Sequence, residues 1–221
     1  MVDQPLEKLK SETAEVVRRW ADTPYYDAAE KYAQGQWNNL IQPFLSSVEI
    51  DYSTTLELAV GHGRMTAILL EHAKRVIGVD VLEENIAYCA LRFADVDHLE
   101  LIRNDGVTLD GVASGSVSFV FCFDSMIHFD SDVVRAYLKE FARVLRPGGH
   151  AFLHHSNLTR NPGGDFQRNV HARNFMSIPM FSHYAQKEGL QVLKQKAIDW
   201  GPKDKRVVAL DGLALLQAPE A

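Results

Sequence analysis

The sequence predicts an α/β protein with a doubly wound, mostly parallel seven-stranded sheet. An antiparallel hairpin finishes the sheet at its C-terminal end, and a helical addition precedes it. Three observations predict this. Thr55-Leu56-Glu57-Leu58-Ala59-Val60-Gly61-His62-Gly63-Arg64-Met65-Thr66 reads as a short buried strand, a glycine turn and the start of a helix. Beyond it, apolar runs of strand length alternate with helical ones, which implies parallel pairing. After Gly189 two strand-like runs flank a turn, the signature of a hairpin.

The elements follow in order. Leu6, Leu9, Val16, Val17 and Trp20 fall on one face of a helix over 6–20, and Asp22-Thr23-Pro24 breaks it. A second helix is expected over 34–46, interrupted or ended near Pro43. Residues 1–50 are therefore an addition, and 51–221 the core. In the core, strand 54–58 is followed by helix 64–72, and strand 76–79 by helix 83–93. Strand 99–103 runs into the Asn104-Asp105-Gly106 turn, and strand 117–123 into Asp124-Ser125-Met126-Ile127-His128-Phe129. Helix 131–145 stops at Arg146-Pro147-Gly148-Gly149, and strand 150–155 follows. Residues 157–174 form a long polar loop, and helix 178–188 leads into strands 190–198 and 206–216.

Composition excludes several classes. The chain has 221 residues, 46% hydrophobic and 24% charged, as for a soluble globule. No apolar run approaches a membrane span, and the polar N-terminus is not a signal peptide, so a cytoplasmic location is expected. The net charge of −6 argues against a broad nucleic-acid surface. The two cysteines, Cys89 and Cys122, lack metal-ligand spacing and read as reduced core thiols. No spaced metal-ligand set is visible. A homodimer is left open.

The glycines at 61 and 63 let a ligand approach the backbone where a Cβ would collide. Roughly twenty residues on, Arg75-Val76-Ile77-Gly78-Val79-Asp80 is a second strand ending in an acid, which in such units accepts hydrogen bonds from ribose hydroxyls. A dinucleotide fingerprint fits poorly, because Thr66 stands where a small third residue is needed. The alternative pattern, an acid followed by three alternate glycines, is met by Glu57, Ala59, Gly61 and Gly63. It resembles motif I of the class I S-adenosylmethionine-dependent methyltransferases, with alanine at 59 in place of the usual glycine.

That resemblance extends in order from about Trp37 to the end. Asp80 matches the acid of the second motif. Asp105 resembles the adenine contact, its carboxylate receiving the exocyclic amine while a following backbone N–H, with Gly106, meets a ring nitrogen. Leu145-Arg146-Pro147-Gly148-Gly149 is similar to the turn before strand five. The resemblance implies S-adenosylmethionine as cofactor, a terminal hairpin, and N-terminal additions that cover the active-site mouth. Asp124-Ser125-Met126-Ile127 lacks the proline pair and flat aromatic of base-methylating members. It looks like the small-molecule or sugar O-methyltransferases, so a small-molecule acceptor is expected and nucleic acid is not.

A hydroxyl acceptor needs a base, and histidine suits neutral pH. His128, His155 and Asp124 lie at the carboxyl ends of strands, where ligands bind in such sheets. His154 and His155 point to opposite faces, and His155 is favoured over its neighbour by its later position. His128 is the first choice, since strand four carries acceptor-side groups in the resembling fold. Asp124 is open between orienting a histidine and binding a cation. Arg64 caps the glycine turn or reaches the cofactor carboxylate. His62 packs or meets the cofactor through its backbone. Arg160, Arg168, His171 and Arg173 make the long loop basic, a solvated face or a site for an anionic acceptor. Tyr25, Tyr26 and Trp37 are core or lid. A nicotinamide-dependent oxidoreductase and a catalytically silent cofactor-binding module are the competing readings.

Overall fold

The structure, a computed structural model, describes residues 4–20, 24–163 and 166–220. Seven strands form one sheet: β1 (Thr55–Leu58), β2 (Val76–Asp80), β3 (Leu99–Arg103), β4 (Val117–Cys122), β5 (Leu145–Ser156), β6 (Gln191–Trp200) and β7 (Val207–Gln217). Their order is β3-β2-β1-β4-β5-β7-β6. The first five pair in parallel, and β7 runs antiparallel to both β5 and β6. The chain order reverses between β1 and β4, so a crevice opens at their carboxyl ends.

The helices are α1 (Gln4–Trp20), α2 (Tyr25–Glu30), α3 (Ala33–Gln36), α4 (Gln42–Leu45), α5 (Arg64–His72), α6 (Glu83–Arg92), α7 (Ser131–Val144) and α8 (Ile178–Lys187). α2 is short and has no clear sequence signature. The expected break near Pro43 does not occur. Trp37–Ile41 forms a π-helical turn, in which the Gln42 amide reaches back to the Trp37 carbonyl, and Pro43 then sits in the first turn of α4. A proline is tolerated there because its missing N–H is one of the helix's unpaired donors. β5 begins at Leu145, earlier than expected. The Gly148 amide bonds to Pro219, and the Ala218 amide to Gly149, so the proline–glycine segment is held by the chain beyond β7.

The period of two divides the sheet between two cores. On one face Leu56, Val120, Leu153 and Leu216 pack with Tyr137 and Phe141 of α7 and Phe181 of α8. On the other, Phe119, Phe121, Phe152 and Leu215 pack with Leu69 of α5 and with Trp37, Ile41 and Phe44. Trp37 is buried against His72 and Phe121, so it belongs to this core and not to a cover. Among the described residues no helix is long and apolar enough to cross a membrane.

Candidate functional site

At the crevice the backbone of the first turn is bent by left-handed residues. Gly61 (φ 55°) and Gly63 (φ 81°) take this conformation, and so does Ala59 (φ 62°). A glycine at 59 would take that conformation without steric cost, and alanine bears the strain. Asp80, buried at the end of β2, fixes the turn. Its Oδ2 accepts the Gly61 amide at 2.9 Å, and its Oδ1 accepts the Leu82 amide at 2.9 Å. Burial pushes the Asp80 carboxyl above its ordinary range. Gly63 caps α5, and a Cβ there would meet the Phe93 ring at 2.5 Å. Its freedom serves helix packing.

Glu57 is buried beneath the turn, where the Thr66 hydroxyl donates to its Oε2 at 2.6 Å. Burial pushes its carboxyl up to about 8. Glu57, Ala59, Gly61, Arg64 and Asp124 border a small pocket. A larger cavity, open at its mouth, adjoins it. Its floor is Ala59, Gly61, Asp80, Asn104 and Gly106, and its roof is Thr13, Val16, Val17 and Trp20 of α1. Thr13 donates to the Gly106 carbonyl, and its methyl rests where a Cβ of Gly106 would stand. Tyr25 and Tyr26 complete the wall, with the Tyr26 ring over Gly61.

Asp105 departs from expectation. It borders a neighbouring cleft and does not line the cavity. Its Oδ1 accepts the amides of Val107 (3.0 Å) and Thr108 (2.7 Å), and its Oδ2 lies 3.3 Å from Lys10 Nζ. Burial opposes ionisation, yet these amides hold the carboxyl below its ordinary value. The turn needs this carboxylate to close, so Asn104 and Gly106 face the cavity instead. Arg64 borders the small pocket at the glycine turn. It donates to Gln36 at 2.8 Å and to Asp124 Oδ2 at 2.6 Å, joining the crevice to the helix beneath. His62 is stacked between Tyr26 (4.3 Å) and Tyr88 (3.9 Å).

His128 and Asp124 line the cavity. The His128 Nδ1 lies 2.7 Å from the Ala172 carbonyl, which accepts only if Nδ1 carries the proton, leaving Nε2 as the acceptor. Burial, reinforced by Arg173, pushes His128 down to about 4. The Asp124 carboxylate accepts from Tyr25 and Arg64, and its backbone is left-handed (φ 61°).

His155 does not face the crevice. It is fully buried on the opposite side, stacked on Phe181 at 3.9 Å. The alternation along β5 sends Leu153 and His155 to the α8 side, and Phe152 and His154 to the other. His154 is the residue linked to the site. Its Nδ1 accepts the Asp124 amide at 3.1 Å, and its Nε2 donates to Asp211 at 3.1 Å. Asp211 also receives Arg173 in a two-pronged pair at 2.9 and 2.7 Å. Burial alone would raise Asp211, but the bonds from His154 and Arg173 hold it at about 2. Sequence reasoning missed His154 and Asp211. The parity of β5 against Phe152 is the signal that would have found His154. Of the basic loop, Arg173 is buried in this ion pair. The loop's Phe166 packs with Val16, and Trp20 lies against the same cluster, so the loop backs α1 without lining the cavity. Gly164 lies outside the described residues.

The sheet order, the glycine turn tied to an acid on β2 and the cavity above it define the class I, Rossmann-like methyltransferase fold. Residues 56–153 match the family model of a methyltransferase domain. Over that part the chain is similar to S-adenosylmethionine-dependent methyltransferases. A curated Mycolicibacterium smegmatis protein, named a probable S-adenosylmethionine-dependent methyltransferase, is 32% identical over 111 residues. The match takes in 50% of this chain and spans 41% of that relative's length. An S-adenosylmethionine-dependent methyltransferase structure from Clostridium acetobutylicum superposes with a TM-score of 0.67 at 16% identity, covering 89% of this chain and 100% of that one. The [4+2]-cyclase SpnF superposes with a TM-score of 0.65 at 13% identity, over 90% of this chain and 84% of that one. These likenesses show the fold.

Proposed function

We propose that this chain transfers a methyl group from S-adenosylmethionine to the hydroxyl of a small molecule, with α1 and α2 of the N-terminal addition as a cap and its residues 33–50 packed into the core. The carrying observation is the Gly61–Asp80 turn opening into a cavity that also holds His128. The residues present fit the cofactor. Asp80 keeps lone pairs for ribose hydroxyls, Val81 and Leu82 offer an apolar slot for a flat base, and Asn104 and Gly106 offer polar edges. When bound, S-adenosylmethionine supplies an electrophilic methyl on a sulfonium that leaves as a thioether.

The chain's part is alignment and proton removal. Asp124, held by Arg64, Tyr25 and the His154 ring, shapes the mouth beneath Ser125 and His128. His128 receives the hydroxyl proton at Nε2, since Nδ1–H is committed to Ala172. Its lowered affinity for protons keeps it unprotonated throughout the neutral range, at the cost of a weaker pull on the proton. Action in the cytoplasm without a nucleic-acid partner completes the reading.

Calorimetric titration tests it. S-adenosylmethionine or S-adenosylhomocysteine is expected to bind in the micromolar range and NAD to give no heat. NAD binding without S-adenosylhomocysteine binding would replace the reading with an oxidoreductase. Cofactor binding with no methyl transfer to any hydroxyl compound would favour a silent binding module.

A further inference from the structure

We infer that the cavity selects an uncharged, flat, apolar-bodied hydroxyl compound and rejects anionic and sugar-like acceptors. This rests on the methyltransferase reading and names its substrate class.

The first observation is the charge of the lining. Glu12, Asp80, Asp124 and Asp130 all border the cavity, and no lysine or arginine is among the described residues that do. The nearby cations are committed elsewhere. Arg64 is held by Asp124 and Gln36, Arg173 by Asp211, and Lys10 lies 3.3 Å from Asp105 and 3.4 Å from Glu7. An acceptor bearing a carboxylate or phosphate would leave water to meet like charges without a counter-ion, which is costly. The basic loop expected to bind such an acceptor does not border the cavity.

The second observation is the shape of the wall. Val16, Val17, Phe129 and Val133 carry no side-chain hydrogen-bonding group, and all four border the cavity. Trp20, Tyr25 and His128 add a row of rings, with centroids 5.3 Å apart from Trp20 to Tyr25 and 4.5 Å from Trp20 to His128. A flat apolar ring gains contact along such a row. A sugar brings several hydroxyls, and those laid along Val16, Val17, Phe129 and Val133 lose water with no side-chain partner in return. Beside the rings Ser125, His128 and Asp124 make a polar corner that suits a hydroxyl.

The test is calorimetry on the full chain saturated with S-adenosylhomocysteine, using 2-naphthol, 6-hydroxy-2-naphthoate and methyl glucoside as probes. Naphthol is expected to bind about 100-fold more tightly than the naphthoate, from like-charge repulsion and lost solvation. The glucoside is expected to give no heat. Val17→Lys sets a cation in the roof and is expected to bring the naphthoate within about 10-fold of naphthol. Equal binding of naphthol and the naphthoate, tighter binding of the glucoside, or no naphthol heat beside clear S-adenosylhomocysteine heat would each overturn the inference and leave the methyltransferase reading standing. Absence of S-adenosylhomocysteine binding would remove both.

Discussion

The floor and the roof of the cavity are built in opposite ways. The floor is mostly local: Ala59 and Gly61 lie in the turn after β1, Asp80 ends the adjoining β2, and hydrogen bonds to its carboxylate hold the turn. The roof is assembled at a distance. Thr13 of α1 meets Gly106, and Trp20 meets His128, across about half the chain or less. A local floor tolerates change in the surrounding helices, whereas an assembled roof depends on every element beneath it. The contrast predicts that floor changes act on cofactor binding and wall changes on turnover.

The largest effect should come from the wall. His128→Ala is expected to lower kcat by about 10²–10⁴-fold with cofactor affinity nearly intact. Rate measurements at saturating acceptor decide it, and full turnover would leave alignment as the whole mechanism. Burial holds His128 at about 4, so the wild-type rate should stay level as pH falls through the ordinary histidine range and decline only toward that value. A midpoint near 6.5 would show that His128 is not the group that titrates. His155→Ala provides the internal control, with stability reduced by about 1–3 kcal/mol for the lost ring packing and kcat little changed.

A smaller effect belongs to the floor. Asp80→Ala should weaken S-adenosylhomocysteine by about 1–3 kcal/mol, through lost ribose hydrogen bonds and a freed Gly61 amide. Calorimetry reads this directly, and an unchanged dissociation constant would place the ribose elsewhere. The smallest effect is at Ala59, whose left-handed backbone favours glycine. Ala59→Gly should raise stability by up to about 1 kcal/mol, net of the entropy cost of glycine. Thermal denaturation at neutral pH checks it, and a lower midpoint would mean that the Ala59 methyl contributes packing worth more than the strain.

Two buried acids shift stability with pH in opposite directions. Glu57 binds its proton more tightly folded than unfolded, up to about 8. Stability from it is full below the ordinary glutamate range and is lost as pH rises toward 8. Asp211, held at about 2, contributes above the ordinary aspartate range, and that contribution is lost as pH falls toward 2. Glu57→Gln should therefore flatten the fall in melting temperature between about pH 5 and 8. An unchanged slope would assign the fall to another group.

Legibility in the sequence followed the same division. Six of the seven strands begin and end within two residues of their sequence expectation, because burial and period are local signals. The exception is the start of β5, where Pro147 and the two glycines read as a break. They are instead tied to residues 218 and 219, which no local pattern reveals. The Asp80 floor was legible for the same reason. Asp105 was not, since its motif position says nothing of which way a turn aspartate closes. His154 and Asp211 lie 57 residues apart, and only the pairing of β5 with β7 joins them.

That pairing has a consequence for synthesis. β7 follows the other strands in sequence yet lies between β5 and β6. A nascent chain can lay down β1 to β5 and close the glycine turn early, since domains assemble from the N-terminal side as they emerge. At that stage the His154 Nε2 has no Asp211 to receive it, and Arg173 has no carboxylate to neutralise it. The bare edge of β5 and an unpaired guanidinium then face solvent until residues 207–217 leave the ribosome. Without β7 the edge of β5 has no strand to pair with, and an unpaired strand edge is a template for other chains.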